Sequence, residues 1–101
     1  MQIKRGDTFT FIVRRVDDLG NPLTGQASNL RSQIRKNDGV LLGEFIIEET
    51  VTLGDYKFNI DASITKDFPI GNLYFDIEYT LEGVVTSSNT VTFKVEGDVT
   101  H

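Results

Sequence analysis

The fold is decided by Gly71-Asn72-Leu73-Tyr74-Phe75-Asp76-Ile77-Glu78-Tyr79-Thr80. From Leu73 to Tyr79 two sets interleave, Leu73, Phe75, Ile77 and Tyr79 in one phase and Tyr74, Asp76 and Glu78 in the other. Successive side chains of an extended chain point to opposite faces, so this segment reads as a strand with one buried and one wet side. It carries the densest inward-facing apolar set of the chain. It is therefore expected at the centre of a sheet, flanked or covered by the other strands.

Working outward, the same period recurs in short segments punctuated by turn residues. Ile3 to Arg5 reads as a short first strand, closed by Gly6-Asp7. Thr8 to Val16 follows with Phe9, Phe11 and Val13 inward, and Thr8, Thr10 and Arg14 outward, while Ile12 breaks the polar outward phase. Asp17-Asp18-Leu19-Gly20-Asn21-Pro22 is a turn by composition. Leu30 to Lys36 sets Leu30, Ser32 and Ile34 against Arg31, Gln33 and Arg35. Asn37-Asp38-Gly39 signals a tight hairpin with positive φ at Asp-Gly. Val40 to Thr52 reads as one long return strand with Leu41, Phe45, Ile47 and Val51 in the core phase, bent or bulged at Gly43, and with Ile46 outward.

After Leu53-Gly54-Asp55, the short strand Tyr56 to Ile60 points Tyr56, Phe58 and Ile60 inward. Residues 61 to 67 fit one helical turn ended by Pro69, a crossover between sheets. Beyond the opening segment, Leu81-Glu82-Gly83 is a turn. Val84 to Ser87 and Thr90 to Glu96 form a closing pair with Val91, Phe93 and Val95 inward, and Gly97 to His101 is a polar end. Seven or eight short strands with no useful amphipathic helix imply an all-β, antiparallel, immunoglobulin-like sandwich with at most one helical turn near residues 61–68. Its core is Phe, Ile, Val and Leu, with Tyr56, Tyr79 or both at the rim where a phenol finds a partner.

At 101 residues the chain is expected to be one domain able to bury a core without staples. It has no cysteine, which removes disulfides and thiolate metal sites. No apolar run follows the basic residues after Met1, so no secretory signal or membrane span is expected, and synthesis and folding in a cytoplasm are. The net charge is −5, unevenly spread. Residues 1–36 hold seven Lys/Arg against three Asp, or +4, and residues 37–101 hold three Lys against twelve Asp/Glu, or −9. Either the halves pair their charges across strands of one sheet, or copies meet basic to acidic. An acidic chain lacks the basic footprint that nonspecific nucleic-acid binding needs.

Chemistry-bearing patterns are thin. Arg5-Gly6-Asp7 spells an integrin-type tripeptide but leads straight into a strand, as a turn would. Asp17, Asp18 and Asn21 offer oxygens for calcium, without the glutamate of a helix–loop–helix site, and read better as a solvated turn. Glu48 and Glu49 face opposite sides of a strand, and Asp76 and Glu78 lie on a wet face, which argues for solvation rather than acid–base work. The only histidine is His101, and the nine glycines are scattered singly. No nucleophile–base pair and no phosphate loop is assembled, so neither an enzyme nor a cofactor is expected. What remains is surface. Ile12, Ile46 and Tyr74 are apolar or aromatic in outward phase, Arg31 and Arg35 share the outer side of one strand, and Asp76 and Glu78 follow Tyr74 in its own phase. These seven are the candidate interface.

Three stretches carry a resemblance: Lys4-Arg5-Gly6-Asp7-Thr8-Phe9, Asp18-Leu19-Gly20-Asn21-Pro22-Leu23-Thr24-Gly25, and Arg31-Ser32-Gln33-Ile34-Arg35. Together with Leu73 to Thr80 they resemble small structural proteins of tailed bacteriophages, including the immunoglobulin-like N-terminal domain of baseplate upper proteins. The resemblance implies a non-enzymatic virion component attached to a tail, baseplate or head, made in a host bacterium. Its expected partners are other virion proteins and further copies of itself, with no nucleic acid, membrane or small molecule. Decoration, head–tail and fibre-adaptor roles fit the length as well. A carbohydrate- or cell-surface-binding module on the same sandwich is the alternative, with Tyr74 as its one plausible aromatic.

Overall fold

The computed structural model describes residues 1–88 and 90–97, so Asn89 and the end of the polar tail, including His101, lie outside the described residues. Among the described residues nine strands form two sheets: β1 (Gln2–Lys4), β2 (Phe9–Arg14), β3 (Leu30–Arg35), β4 (Leu41–Glu44), β5 (Ile46–Glu49), β6 (Asp55–Ile60), β7 (Gly71–Leu81), β8 (Val84–Ser87) and β9 (Val91–Glu96). The larger sheet runs β1-β9-β7-β3-β4 with β8 also on β7, and the smaller runs β2-β6-β5. This is the all-β sandwich expected from the strand spacing. The segment quoted first is its central strand, paired with β3 along one side and with β9 and then β8 along the other.

The alternation of each strand becomes its burial. Leu73 and Phe75 of β7, Phe93 and Val95 of β9, Ile34 of β3, and Phe58 and Ile60 of β6 are all buried. Six of the seven phenylalanines form one ring cluster between the sheets. Phe11 stacks on Phe58 at 5.1 Å and on Phe75 at 5.4 Å, joining the smaller sheet to the larger. Each such side chain taken out of water contributes about 2 kcal/mol before ordering costs.

Several expectations are corrected. Residues 40–52 do not make one strand: β4 belongs to the larger sheet and β5 to the smaller, and the chain crosses between them at Phe45. Phe45 is buried, and its N–H still donates to the Ser32 carbonyl at 2.9 Å. Leu41 and Val51 are exposed rather than in the core. For Leu41 the cause is that the β3–β4 register slips between Ile34 and Arg35 and turns Leu42 inward instead, while Val51 lies past the end of β5. A one-residue slip exchanges the two faces of a strand. At Gly43 a side-chain carbon would stand 2.7 Å from Ile60 Cδ1, so close approach, more than bending, demands glycine.

The pairing is not wholly antiparallel, since β1 lies parallel to β9. Nor do β8 and β9 pair with each other; they follow one another along the same edge of β7. The 37–39 hairpin has positive φ only at Gly39, making a three-residue loop closed by Lys36 N–H to the Val40 carbonyl at 3.0 Å. The helical turn is α1 (Ala62–Thr65), crossing from β6 to β7 as expected, and a second turn, 3-10 in form, occupies Ala27–Asn29. Arg5-Gly6-Asp7 is a turn, with Asp7 N–H donating to the Lys4 carbonyl at 3.1 Å.

Two polar anchors fix the loops. Buried Tyr56 donates its hydroxyl to the Leu23 carbonyl at 2.7 Å and accepts from the Gln26 N–H at 3.2 Å. Tyr56→Phe removes both bonds and strands both backbone groups, so a loss of about 1–3 kcal/mol is expected in urea unfolding. A loss below ~0.5 kcal/mol would mean that water replaces the phenol. In the 17–22 turn the Asp17 carboxylate accepts from the N–H groups of Leu19 and Asn21, both at 2.9 Å. The Asn21 N–H above all, helped by Leu19 and the Asn21 amide, holds that carboxyl below its usual range against a partial loss of solvation. Those oxygens serve their own turn.

Candidate protein-interaction face

The register of β3 on β7 builds the site. Arg31 lies opposite Glu78, Gln33 opposite Asp76, and Arg35 opposite Tyr74. Directly opposed residues of an antiparallel pair share a face, and here it is the outer one, because Leu30, Ser32 and Ile34 fill the inner phase. Five of the seven candidate residues, Arg31, Arg35, Tyr74, Asp76 and Glu78, therefore line one open cleft of about 410 Å³. Gln33, in the same outward phase as Arg31 and Arg35, lines it too, while the remaining walls, Lys36, Asn37, Gly39 and Thr90, have no signal in the sequence. No periodicity within one strand reveals them, since they are supplied by register and by the hairpin loop.

The cationic side of the cleft is held in place. Arg35 donates Nη2 to Gln33 Oε1 at 2.6 Å and Nη1 to the Gly39 carbonyl at 2.9 Å, which lays its guanidinium across the hairpin. Arg31 donates Nε to Glu44 Oε1 at 3.1 Å and so turns toward β4, away from β7. Both partners of that ion pair are solvent-exposed, so it is worth little to stability. The anionic side is different. Asp76 and Glu78 are half-buried, and among the described residues neither carboxylate is in an ion pair or a side-chain hydrogen bond. The face thus shows two adjacent stripes of opposite sign, with Tyr74 at one end.

Ile12 and Ile46 are not part of this cleft. They stand exposed on the outer face of the smaller sheet, where Ile12 is opposite Lys57 and Ile46 opposite Asn59 across the intervening β6. The two isoleucines occupy different rows and do not make a continuous apolar patch.

A second cleft, about 460 Å³, opens between the end of β2 and β8, lined by residues 13–16, Ile77, Tyr79 and residues 86–88. Arg15 covers Tyr79 there, its guanidinium carbon 4.3 Å from the ring centre, a cation–π contact that no sequence spacing announces. Glu49, read from sequence as merely solvated, accepts from the Gly25 N–H at 2.9 Å and ties a loop to β5.

Compared with known proteins, the chain matches no protein-family model and no curated protein sequence.

Proposed function

We propose that this protein is a non-enzymatic structural module of a bacteriophage particle, acting through protein–protein contacts made by the outer face of its larger sheet. One observation carries the docking surface: Arg31, Arg35, Tyr74, Asp76 and Glu78, from two strands far apart in sequence, converge on one cleft. Arginine and tyrosine are the residue types over-represented where proteins bind. The attribution to a virion rests on the resemblance of the turn and strand motifs.

The test is incorporation into particles. Purified virions of the source phage should contain the protein, and Tyr74→Ala with Arg35→Ala should lower its content roughly tenfold or more with unchanged thermal stability. Virions free of the protein would overturn the reading. A second reading is favoured by Tyr74 itself, which lies among hydrogen-bonding side chains in a cleft of ligand-pocket size. Glycan-array binding abolished by Tyr74→Ala would support a carbohydrate-binding module in place of the docking role.

A further inference from the structure

We propose that the face made by β3 and β7 is occupied by a second copy of this chain, in a two-fold, face-to-face dimer. The inference rests on reading that face as a docking surface and names what docks there. Its basis is that the cross-strand pairs Arg31/Glu78, Gln33/Asp76 and Arg35/Tyr74 each join chemically complementary groups at one height along the strands.

A two-fold axis parallel to the strands and midway between β3 and β7 preserves height and exchanges left for right. In a facing copy related by that axis, β3 of one protomer lies over β7 of the other. Each member of a pair then meets its complement: Arg31 meets Glu78, Gln33 meets Asp76, and Arg35 meets the Tyr74 ring. Every contact occurs twice, as a closed isologous interface requires. Any axis perpendicular to the strands would reverse the heights and lose the match.

Gln33 and Arg35 are already disposed for this, whereas Arg31 exchanges its exposed pair with Glu44 for the facing Glu78. Gln33 spends its carbonyl oxygen on Arg35, which leaves its NH₂ to donate to a carboxylate. The flat, doubly anchored guanidinium of Arg35 suits stacking on an aromatic ring. Glu78, half-buried without an ionic partner among the described residues, would gain one in Arg31, and the equally half-buried Asp76 would gain the Gln33 amide as a hydrogen-bond donor. Sheets stacked face to face lie about 10 Å apart, within the combined reach of Arg and Glu side chains. Size is no obstacle: the molecule measures 48 × 30 × 20 Å. Its broad face exceeds the roughly 800 Å² per partner of a stable complex.

Sedimentation equilibrium with charge reversals tests the arrangement. The unaltered protein should dimerise, with the dissociation constant rising at least ~10-fold between about 50 and 500 mM salt. R31E sets a glutamate against Glu78, and E78R sets an arginine against Arg31, so each variant alone should dimerise at least ~10-fold more weakly. Mixing the two should restore association. The glutamate introduced in one protomer then meets the arginine introduced in the other, and the native Glu78 of the first meets the native Arg31 of the second. The R31E/E78R double variant should recover too. An unaltered protein that is monomeric at ~100 μM, or single variants that stay monomeric when mixed, would overturn the dimer. If particle incorporation still falls with Tyr74→Ala and Arg35→Ala in that event, the docking face stands and its occupant is a different protein. If incorporation is also unaffected, the docking reading fails with it.

Discussion

Replacing Gly54 by alanine is expected to lower the melting temperature by about 15 °C or more, an effect of roughly 3 kcal/mol or above. Two independent costs meet at this position. Its φ is +86°, in the left-handed region that a Cβ disfavours by about 1–2 kcal/mol. The added carbon would also stand 2.9 Å from the Arg15 carbonyl oxygen and 2.8 Å from Pro22 Cβ. Neither neighbour can yield freely. The Arg15 carbonyl accepts from the Leu23 N–H, and the Arg15 N–H donates to the Gly54 carbonyl at 2.7 Å, so the β5–β6 turn and the 17–22 turn are locked together. Gly20 is the matched control, with a φ of +85° and open space around it. Gly20→Ala should cost only about 1–2 kcal/mol. Equal losses at the two glycines would show that backbone conformation alone matters and that the packing at Gly54 is yielding.

Phe75→Ala should be still more damaging, about 3–5 kcal/mol, enough to leave the chain largely unfolded at body temperature if its stability is at the low end for small domains. The Phe75 ring contacts four others, Phe9, Phe11, Phe45 and Phe93, at centroid distances between 5.3 and 6.3 Å. Removing it opens a cavity where the two sheets and the crossing residue meet, and rings held from several strands cannot collapse into it. Phe75→Leu keeps most of the volume and should cost less than half as much by denaturant titration. A small loss for alanine would mean that the cluster repacks and that the inner face of β7 is not the joint between the sheets.

That joint was legible in β7 because four large residues in strict alternation admit one reading. The 40–52 segment was not, for a physical reason. Phe45 keeps the alternation going on paper while its backbone leaves one sheet for the other, and the extra residue at Leu42 exchanges the faces before it. Period two holds only along an unbroken ladder, so alternation alone points Leu41 and Val51 inward, whereas they stand in water. The candidate face divides similarly. Outward phase identified Arg31, Arg35, Tyr74, Asp76 and Glu78 individually, yet their meeting depends on register between strands some forty residues apart. Ile12 and Ile46 are outward, as their phase implies, and nothing in their own strands tells which sheet they decorate.

The parallel pairing of β1 with β9 has a consequence in time. It joins Gln2 to Lys94, and beyond it the Arg5 N–H reaches the Glu96 carbonyl at 2.8 Å, contacts that close nearly the whole chain into a loop. Such closure costs entropy before any contact repays it, whereas the β3–β4 and β7–β8 hairpins close over a few residues. Hairpins are therefore expected to assemble first, β9 to settle on β7 next, and β1 to arrive last. On unfolding the order reverses: β1 peels away first, and the sandwich comes undone from its seam.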